Sequence, residues 1–217
     1  GTSLNLGGQV ARGETGNALW LGGGIVLASS LLDRPLDNWA KNHQSARWNK
    51  LGKVANNVPL LLAAGTGMLW WGMGGDLASE TAWTAIKSTA LTLGAETLLK
   101  IGVNRARPYA DLGPTHFDPL GKGSANSSFP SSRMGVAYAL VTPFAQQYDA
   151  PWLYAVAGAT AFGRIQQRQH FVSDVVAGSL IGYSVGTLLL DQEHKNRRGP
   201  RIAIGPNRSI TATWKLD

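Results

Sequence analysis

The chain contains no cysteine among its 217 residues. This absence excludes disulfide bonds, catalysis by a thiolate and metal sites with cysteine ligands. Histidine is also scarce, and the four copies show no metal-ligand spacing such as two histidines on adjacent helical turns. We therefore expect neither a catalytic metal nor a cofactor. Acidic residues are fewer than basic ones, and the net charge of +7 suits an anionic partner: phospholipid, a phosphorylated substrate or nucleic acid.

Long apolar runs are few as well. Residues 15–32 and 58–75 are uncharged runs that reach the lower limit of length for spanning a bilayer, and both are rich in glycine. The mean hydropathy of the whole chain is only −0.07. The sequence therefore favours a soluble or peripherally bound protein over an integral membrane protein. No signal-peptide pattern opens the chain, so we expect Gly1 to be a processed or engineered start.

Apolar residues recur at helical spacing over most of the chain, which predicts an all-α fold. Acids or prolines mark several expected helix starts, including Asp33 and Asp76. Alternating residues predict a small hairpin around Gly205 near the C-terminus, and a short edge strand is expected at 4–6. The predicted helices cover residues 15–32, 37–56, 58–74, 77–104, 133–147, 151–165 and 172–190.

The length of the chain is enough for one domain with its own core. We expect a single domain over residues 1–217, in which a bundle of about six to seven helices occupies 14–192. The terminal β-hairpin would follow over 200–216.

Three separated segments suit a phosphate ester, and the first and last of them carry cations. Lys100 is followed after six residues by Arg107 and Pro108, and Arg164 lies further along. A phosphoryl group in transfer spreads negative charge over its oxygens, so catalysis consists largely of positioning and charge compensation. If their stretch is helical, Lys100 and Arg107 project from one face. We expect these two cations and Arg164 to form a phosphate cradle.

The second segment, Pro130-Ser131-Ser132-Arg133, precedes an apolar run. This order is typical of a helix start, where free backbone amides and the helix dipole favour an anion. We expect Ser131 to cap that helix and to donate a hydrogen bond to the anion.

The last segment holds His170 and Asp174, four residues apart on a predicted helix. At this spacing the carboxylate could fix one imidazole nitrogen and leave the other free to attack phosphorus. The same spacing is common in ordinary buried or surface pairs. It is the combination with the cations that indicates a site.

Together the segments resemble the type 2 phosphatidic acid phosphatase (PAP2) superfamily, which includes bacterial acid phosphatases and vanadium haloperoxidases. Its pattern is Lys, six residues, Arg-Pro; then Pro-Ser-Gly-His; then Ser-Arg, five residues, His, three residues, Asp. The likeness runs from about Ala82 to Leu190. The resemblance implies that His170 forms a phosphoenzyme intermediate and that Asp174 orients it. It also implies phosphate contacts from Lys100, Arg107, Ser131, Ser132 and Arg164.

Three positions depart from that pattern. Ser132 stands where the family has Gly, and Gly163 where it has Ser, and both could keep a backbone amide in place. Arg133 stands where the family has its general-acid His, and an arginine stays protonated at any reachable pH. Arg133 would instead stabilise a departing phosphate, which favours a diphosphate substrate, or it is an engineered change. His116, in the loop between the first two segments, is a candidate replacement acid.

We expect a phosphatase or phosphotransferase acting on a lipid-linked phosphate or diphosphate, and the resemblance implies the periplasm of a bacterial cell envelope. One alternative is a catalytically silent protein that binds phosphate or phospholipid, and another is a vanadate-dependent haloperoxidase. An anionic membrane surface is a candidate partner because basic residues cluster after the last apolar helix. No recognisable nucleic-acid module accompanies that cluster. Its members are Lys195, Arg197, Arg198 and Arg201.

Overall fold

The computed structural model describes residues 14–121, 126–198, 201–204 and 210–213. Over these residues the chain is a helical bundle, which confirms the all-α class. Short helical turns follow the first and fourth helices, at Ser30–Leu32 and Leu69–Met73. The helices are α1 (Glu14–Ser29), α2 (Asp33–Asn42), α3 (Ala46–Asn56), α4 (Val58–Met68), α5 (Asp76–Val103), α6 (Ser132–Gln147), α7 (Trp152–Gln166) and α8 (Val172–Arg198).

Two short strands, β1 (Arg201–Ile204) and β2 (Ile210–Thr213), pair in antiparallel orientation near the C-terminus. The residues between them lie outside the described part of the chain, so the complete hairpin stays a prediction. The single-domain assignment also stays a prediction. The edge strand expected at 4–6 and most side chains of the C-terminal basic cluster fall outside the described residues as well.

The prediction of one continuous helix over 37–56 is wrong, because the structure divides this stretch into α2 and α3. His43 leaves the helical conformation, with φ −115° and ψ 53°. Its Nδ1 lies 2.8 Å from the Trp39 carbonyl oxygen, and the Gln44 amide donates to the Ala40 carbonyl. These two side chains satisfy carbonyl groups at the end of α2, which favours termination of the helix there.

The two uncharged runs do not become long uninterrupted α-helices. The first contributes to α1, which has 16 residues, and the second gives α4, which ends before Gly72 with φ 97°. Among the described residues one helix, Val172–Asn196, is long and apolar enough to cross a membrane by length and composition. Within its most apolar window, 44% is buried inside the protein.

Helix α6 lies at the centre of the bundle and packs against α5, α7 and α8. Ala137 and Val141 of α6 form a hydrophobic cluster with Ala157 of α7. Helices α6 and α8 touch through their backbones, since a Cβ atom on Gly182 would lie 2.2 Å from the Gly135 carbonyl oxygen. This packing brings the starts of α6 and α8 together with the end of α5, and the candidate site lies there.

Candidate active site

A loop after α5 brings Arg107 close to Lys100, and the expectation that the two residues share a helix face is wrong. Helix α5 ends at Val103 because Asn104 adopts the left-handed conformation, with φ 44° and ψ 55°, and Arg107 is extended. Lys100 Nζ donates to the Ser127 carbonyl oxygen at 2.9 Å and to the Pro130 carbonyl. Arg107 Nη2 donates to Ser127 Oγ at 2.9 Å. The two cations thus converge on Ser127 from different elements.

Three of the residues expected to contact phosphate carry a buried polar atom with no hydrogen-bond partner among the described residues. These atoms are Arg107 Nε, Arg164 Nε and Ser131 Oγ. Each guanidinium is held in place by another of its nitrogens: Arg107 Nη1 donates to Gln169 Oε1 at 2.8 Å, and Arg164 Nη1 donates to Asn56 Oδ1 at 2.9 Å. Buried donors in proteins nearly always have acceptors. An oxyanion bound between these residues would provide them.

Ser131 occupies the N-cap position of α6, but the prediction that its hydroxyl caps the helix is wrong. The Ser131 carbonyl oxygen already accepts from the amides of Met134 and Gly135, each at 3.0 Å. The amide of Met134, one of the two that an N-cap hydroxyl normally bonds, is thus taken, and the Ser131 hydroxyl makes no cap hydrogen bond. Ser132 contributes the first amide of the helix, at the end that favours anions.

His170 lies in the turn before α8 and not on a helix, which corrects the predicted placement. Its Nδ1 is 2.7 Å from the Ser128 carbonyl oxygen. A carbonyl oxygen can only accept, so the proton of the neutral ring is on Nδ1 and the lone pair is on Nε2. The nearer oxygen of Asp174 is 3.8 Å from Nδ1, too far for a hydrogen bond. Ser128 therefore contacts the ring directly, whereas Asp174 can affect the ring only indirectly.

The charge state of His170 follows from its surroundings. Burial lowers its pKa to about 4, and the positive charges of Arg164 and Lys100 act in the same direction against the opposing effect of Asp174. The imidazole is therefore neutral near pH 7. A neutral ring with a free Nε2 has the protonation state of a nucleophile.

Lys100 has an acidic neighbour that the sequence analysis did not place in the site. Glu96 lies four residues earlier on α5, is fully buried, and neither carboxylate oxygen has a hydrogen-bond partner among the described residues. Burial raises the pKa of Glu96 to about 8, although the Lys100 charge opposes this. Burial also lowers the pKa of Lys100 to about 8, with Glu96 opposing and Arg107 reinforcing the change. The spacing of one helical turn is the signal that could have revealed Glu96.

Arg105 is a second residue that the sequence analysis missed. It is buried, and its Nη1 donates to Asp174 Oδ1 at 2.6 Å while its Nη2 donates to Asp33 Oδ2 at 2.8 Å. Burial alone would raise the pKa of Asp174, but the neighbouring His170 and Arg105 bring it below its usual value. Asp174 is thus a carboxylate at neutral pH. The only sequence signal for Arg105 was its position two residues before Arg107.

Arg133 lies at the exposed edge of the site. Its Nη1 donates to the Asn56 carbonyl oxygen at 2.9 Å. Arg164 donates to the side chain of the same Asn56, so the two guanidinium groups are neighbours. Burial and then the charge of Arg133 lower the pKa of Arg164 to about 9. His116 is exposed, and among the described residues its imidazole has no hydrogen bond. Its role as a replacement acid stays a prediction.

The glycine at position 163 has a structural reason. A Cβ atom there would lie 2.6 Å from the Gly52 carbonyl oxygen and 2.7 Å from the Asn56 amide nitrogen. Helix α3 therefore approaches α7 too closely for any side chain, and the serine of the resembled pattern does not fit.

In the part of the chain that the structure describes, no group of three or more His, Asp or Glu side chains could hold a metal ion.

These features define an all-α protein with a buried cationic site around one neutral histidine. The family model described as PAP2 superfamily matches residues 81–198, which is more than half of the chain. The chain belongs to the PAP2 superfamily.

A comparison with curated proteins finds a likeness to the lipid A 1-phosphatase of Porphyromonas gingivalis, with 38% identity over 72 residues. The alignment covers 30% of this chain and 16% of that protein, so the chain spans about a sixth of the length of the curated relative it matches. No solved structure matches the chain significantly.

Proposed function

We propose that the chain is a phosphatase or phosphotransferase that acts on a lipid-linked phosphate or diphosphate through a phosphohistidine intermediate. The observation that carries this proposal is the set of buried, unpartnered polar atoms on Arg107, Arg164 and Ser131, combined with the free Nε2 of His170. Cations and hydroxyl donors around a neutral nucleophile match the needs of a phosphoryl group in transfer.

In the proposed reaction, Nε2 of His170 attacks phosphorus and a P–N bond forms as the P–O bond to the leaving group breaks. The leaving oxygen keeps the electron pair of that bond. Lys100, Arg107 and Arg164 offset the charge on the equatorial oxygens. The Ser128 carbonyl accepts from Nδ1–H and so stabilises the positive charge that develops on the ring. Water then attacks phosphorus: a P–O bond forms, the P–N bond breaks and returns its electron pair to Nε2, and the proton that the water loses passes to an oxygen of the released phosphate.

Arg133 supports one choice of leaving group. An alkoxide resembles the conjugate base of water, whose pKa is about 15.7, and it leaves badly without a proton. A phosphate leaving group has a relevant pKa near ~6 and needs little acid help. The exposed Arg133 guanidinium, next to Arg164, is suited to stabilise such an anion. A diphosphate is therefore the preferred substrate in this proposal.

A groove beside Arg133 and Ser132 is the observation that favours a lipid anchor on the substrate. It has a volume of about 410 Å³ and is lined mainly by apolar groups, including Leu60 of α4 and Leu93 of α5. Large apolar side chains are also exposed elsewhere, with Trp71 84% and Trp20 82% accessible. The relative named a lipid A 1-phosphatase supports a lipid phosphate and a cell-envelope location, which we propose is periplasmic.

The test is phosphate release from a short-chain lipid diphosphate and from the matching monophosphate, with and without vanadate. We expect the diphosphate to turn over faster and vanadate to inhibit competitively. His170→Ala should lose activity by about a thousandfold or more, because no other group replaces the nucleophile. His194→Ala is the matched control, since this histidine contacts Gln147 near the far end of α8.

The same experiment separates the alternatives. Saturable binding of the diphosphate without phosphate release would indicate a catalytically silent binding protein. Halide oxidation by peroxide in the presence of vanadate would indicate a haloperoxidase. Equal turnover of monophosphate and diphosphate would contradict the role proposed for Arg133.

A further inference from the structure

Asp33 is a buried carboxylate at the start of α2, outside the residues that match the family model. Only 1% of its surface is accessible. Its Oδ1 accepts from the Ser173 amide at 2.9 Å, and its Oδ2 accepts from Ser173 Oγ at 2.7 Å and from Arg105 Nη2 at 2.8 Å. A carboxylate with three donors inside a protein is strongly held.

Arg105 connects Asp33 with the predicted site. Its Nη1 donates to Ser173 Oγ at 2.7 Å and to Asp174 Oδ1 at 2.6 Å, and its Nε donates to the Pro114 carbonyl at 2.9 Å. The guanidinium also lies 4.5 Å from the ring centre of Phe171. Each end of the fork therefore meets one carboxylate, which leaves Arg105 little freedom to rotate.

From Asp174 the network continues to the imidazole. Asp174 Oδ2 accepts from Ser128 Oγ at 2.5 Å and from the Phe171 amide at 2.8 Å. The carbonyl of the same Ser128 accepts from His170 Nδ1 at 2.7 Å. Buried hydrogen bonds thus connect Asp33 with Ser128, whose own covalent bonds join its hydroxyl to the carbonyl that contacts His170.

We propose that Asp33 is a positioning residue for His170, acting through Arg105, Asp174 and Ser128. With Asp33 in place, Arg105 is shared between two carboxylates, and Asp174 keeps one oxygen for Ser128. Without the Asp33 charge, the Arg105 guanidinium would pair with Asp174 alone. This pairing would weaken the hydrogen bond between Asp174 and Ser128. The Ser128 carbonyl would then no longer fix the proton of His170 on Nδ1. The inference rests on the proposed function for its kinetic readout only.

The test uses the full chain carrying Asp33→Asn. We expect kcat for the lipid diphosphate to fall about tenfold because the nucleophile is misaligned, while inhibition by inorganic phosphate changes less than twofold because the cradle cations are untouched. Nitrogen NMR of the labelled protein should show His170 with its proton on Nδ1 in the wild type and a mixture of both tautomers in the variant. Glu193→Gln is the matched control, since this carboxylate pairs with Lys87 away from the site.

Ser173→Ala is the second variant, for the case that Asp33→Asn does not fold. It removes one bridge between Asp33 and Arg105 and leaves both charges in place, so we expect a smaller shift of the His170 tautomer in the same direction. An unchanged tautomer in the folded variant overturns the inference whatever the reaction rate. A wild-type chain without turnover contradicts the proposed function alone, because the NMR readout does not need activity.

Discussion

Glu96 lies one helical turn before Lys100, and its fully buried carboxyl group is linked through charge to the half-buried Lys100 ammonium. The Glu96 carboxyl group is 0% accessible, and its Oε1 would be 2.1 Å from a Cβ atom on Gly135. Glycine at position 135 therefore makes room for this carboxyl group beside the predicted cradle. Burial shifts the pKa of both groups towards about 8, so the pair gains or loses a proton near that pH.

The first prediction concerns phosphate affinity at alkaline pH. The Lys100 ammonium loses its proton as the pH rises through about 8, so competitive inhibition by inorganic phosphate should weaken above that pH. Glu96→Gln removes the carboxylate that raises the pKa of Lys100, and the midpoint should move to lower pH by about one unit. Inhibition constants measured from pH 6 to 10 would check this. An unchanged midpoint would argue against any electrostatic link between the two residues.

The second prediction concerns stability in acid. The pKa of His170 is about 4 in the folded chain against 6.5 for a free histidine, so the unfolded chain binds the proton first as the pH falls. The free energy of unfolding should therefore decrease between about pH 6.5 and pH 4. His170→Asn should flatten this dependence in thermal melts. His194→Asn is the control, and an equally steep dependence in His170→Asn would refute the assignment.

The third prediction tests the lost proton donor. Arg133→His should increase the turnover of an alkyl monophosphate on the order of a hundredfold, because an imidazole can protonate the leaving alkoxide. Turnover of the diphosphate should change little or fall. Arg133→Ala separates the two effects, since it removes the cation without adding an acid. A gain for the monophosphate in Arg133→Ala as well would show that the arginine simply blocks the site.

The fourth prediction concerns the close approach of α3 and α7. Gly163→Ser introduces the residue of the family pattern, but its Cβ atom would meet backbone atoms of Gly52 and Asn56, which cannot move aside as a side chain does. Stability should fall by about 1–3 kcal/mol in denaturant unfolding. Activity should fall too, since Asn56 holds Arg164. Gly158→Ala on the same helix is the control, because its nearest neighbour would be Tyr138 Oη at 3.8 Å.

Much of the candidate site could be predicted from the sequence, because the family pattern specifies residue types. Lys100 and Arg107 were recognised by their spacing, and the structure brings both to Ser127, which connects to His170 through Ser128. The spacing of these residues does not specify their contacts. His170 precedes α8 and donates its Nδ1 hydrogen bond to a main-chain carbonyl, which no side-chain pattern reveals.

By itself, the sequence determined the helical class, the cation and histidine positions, and the unusual arginine at position 133, since periodicity and residue identity are local properties. Only the tertiary structure decided which groups face each other. Asp33 and Arg105 are separated by 72 residues, and Ser128 and Asp174 by 46. These buried polar groups find partners only when the helices pack, because burial without a partner is unfavourable and several distant donors could have served equally well.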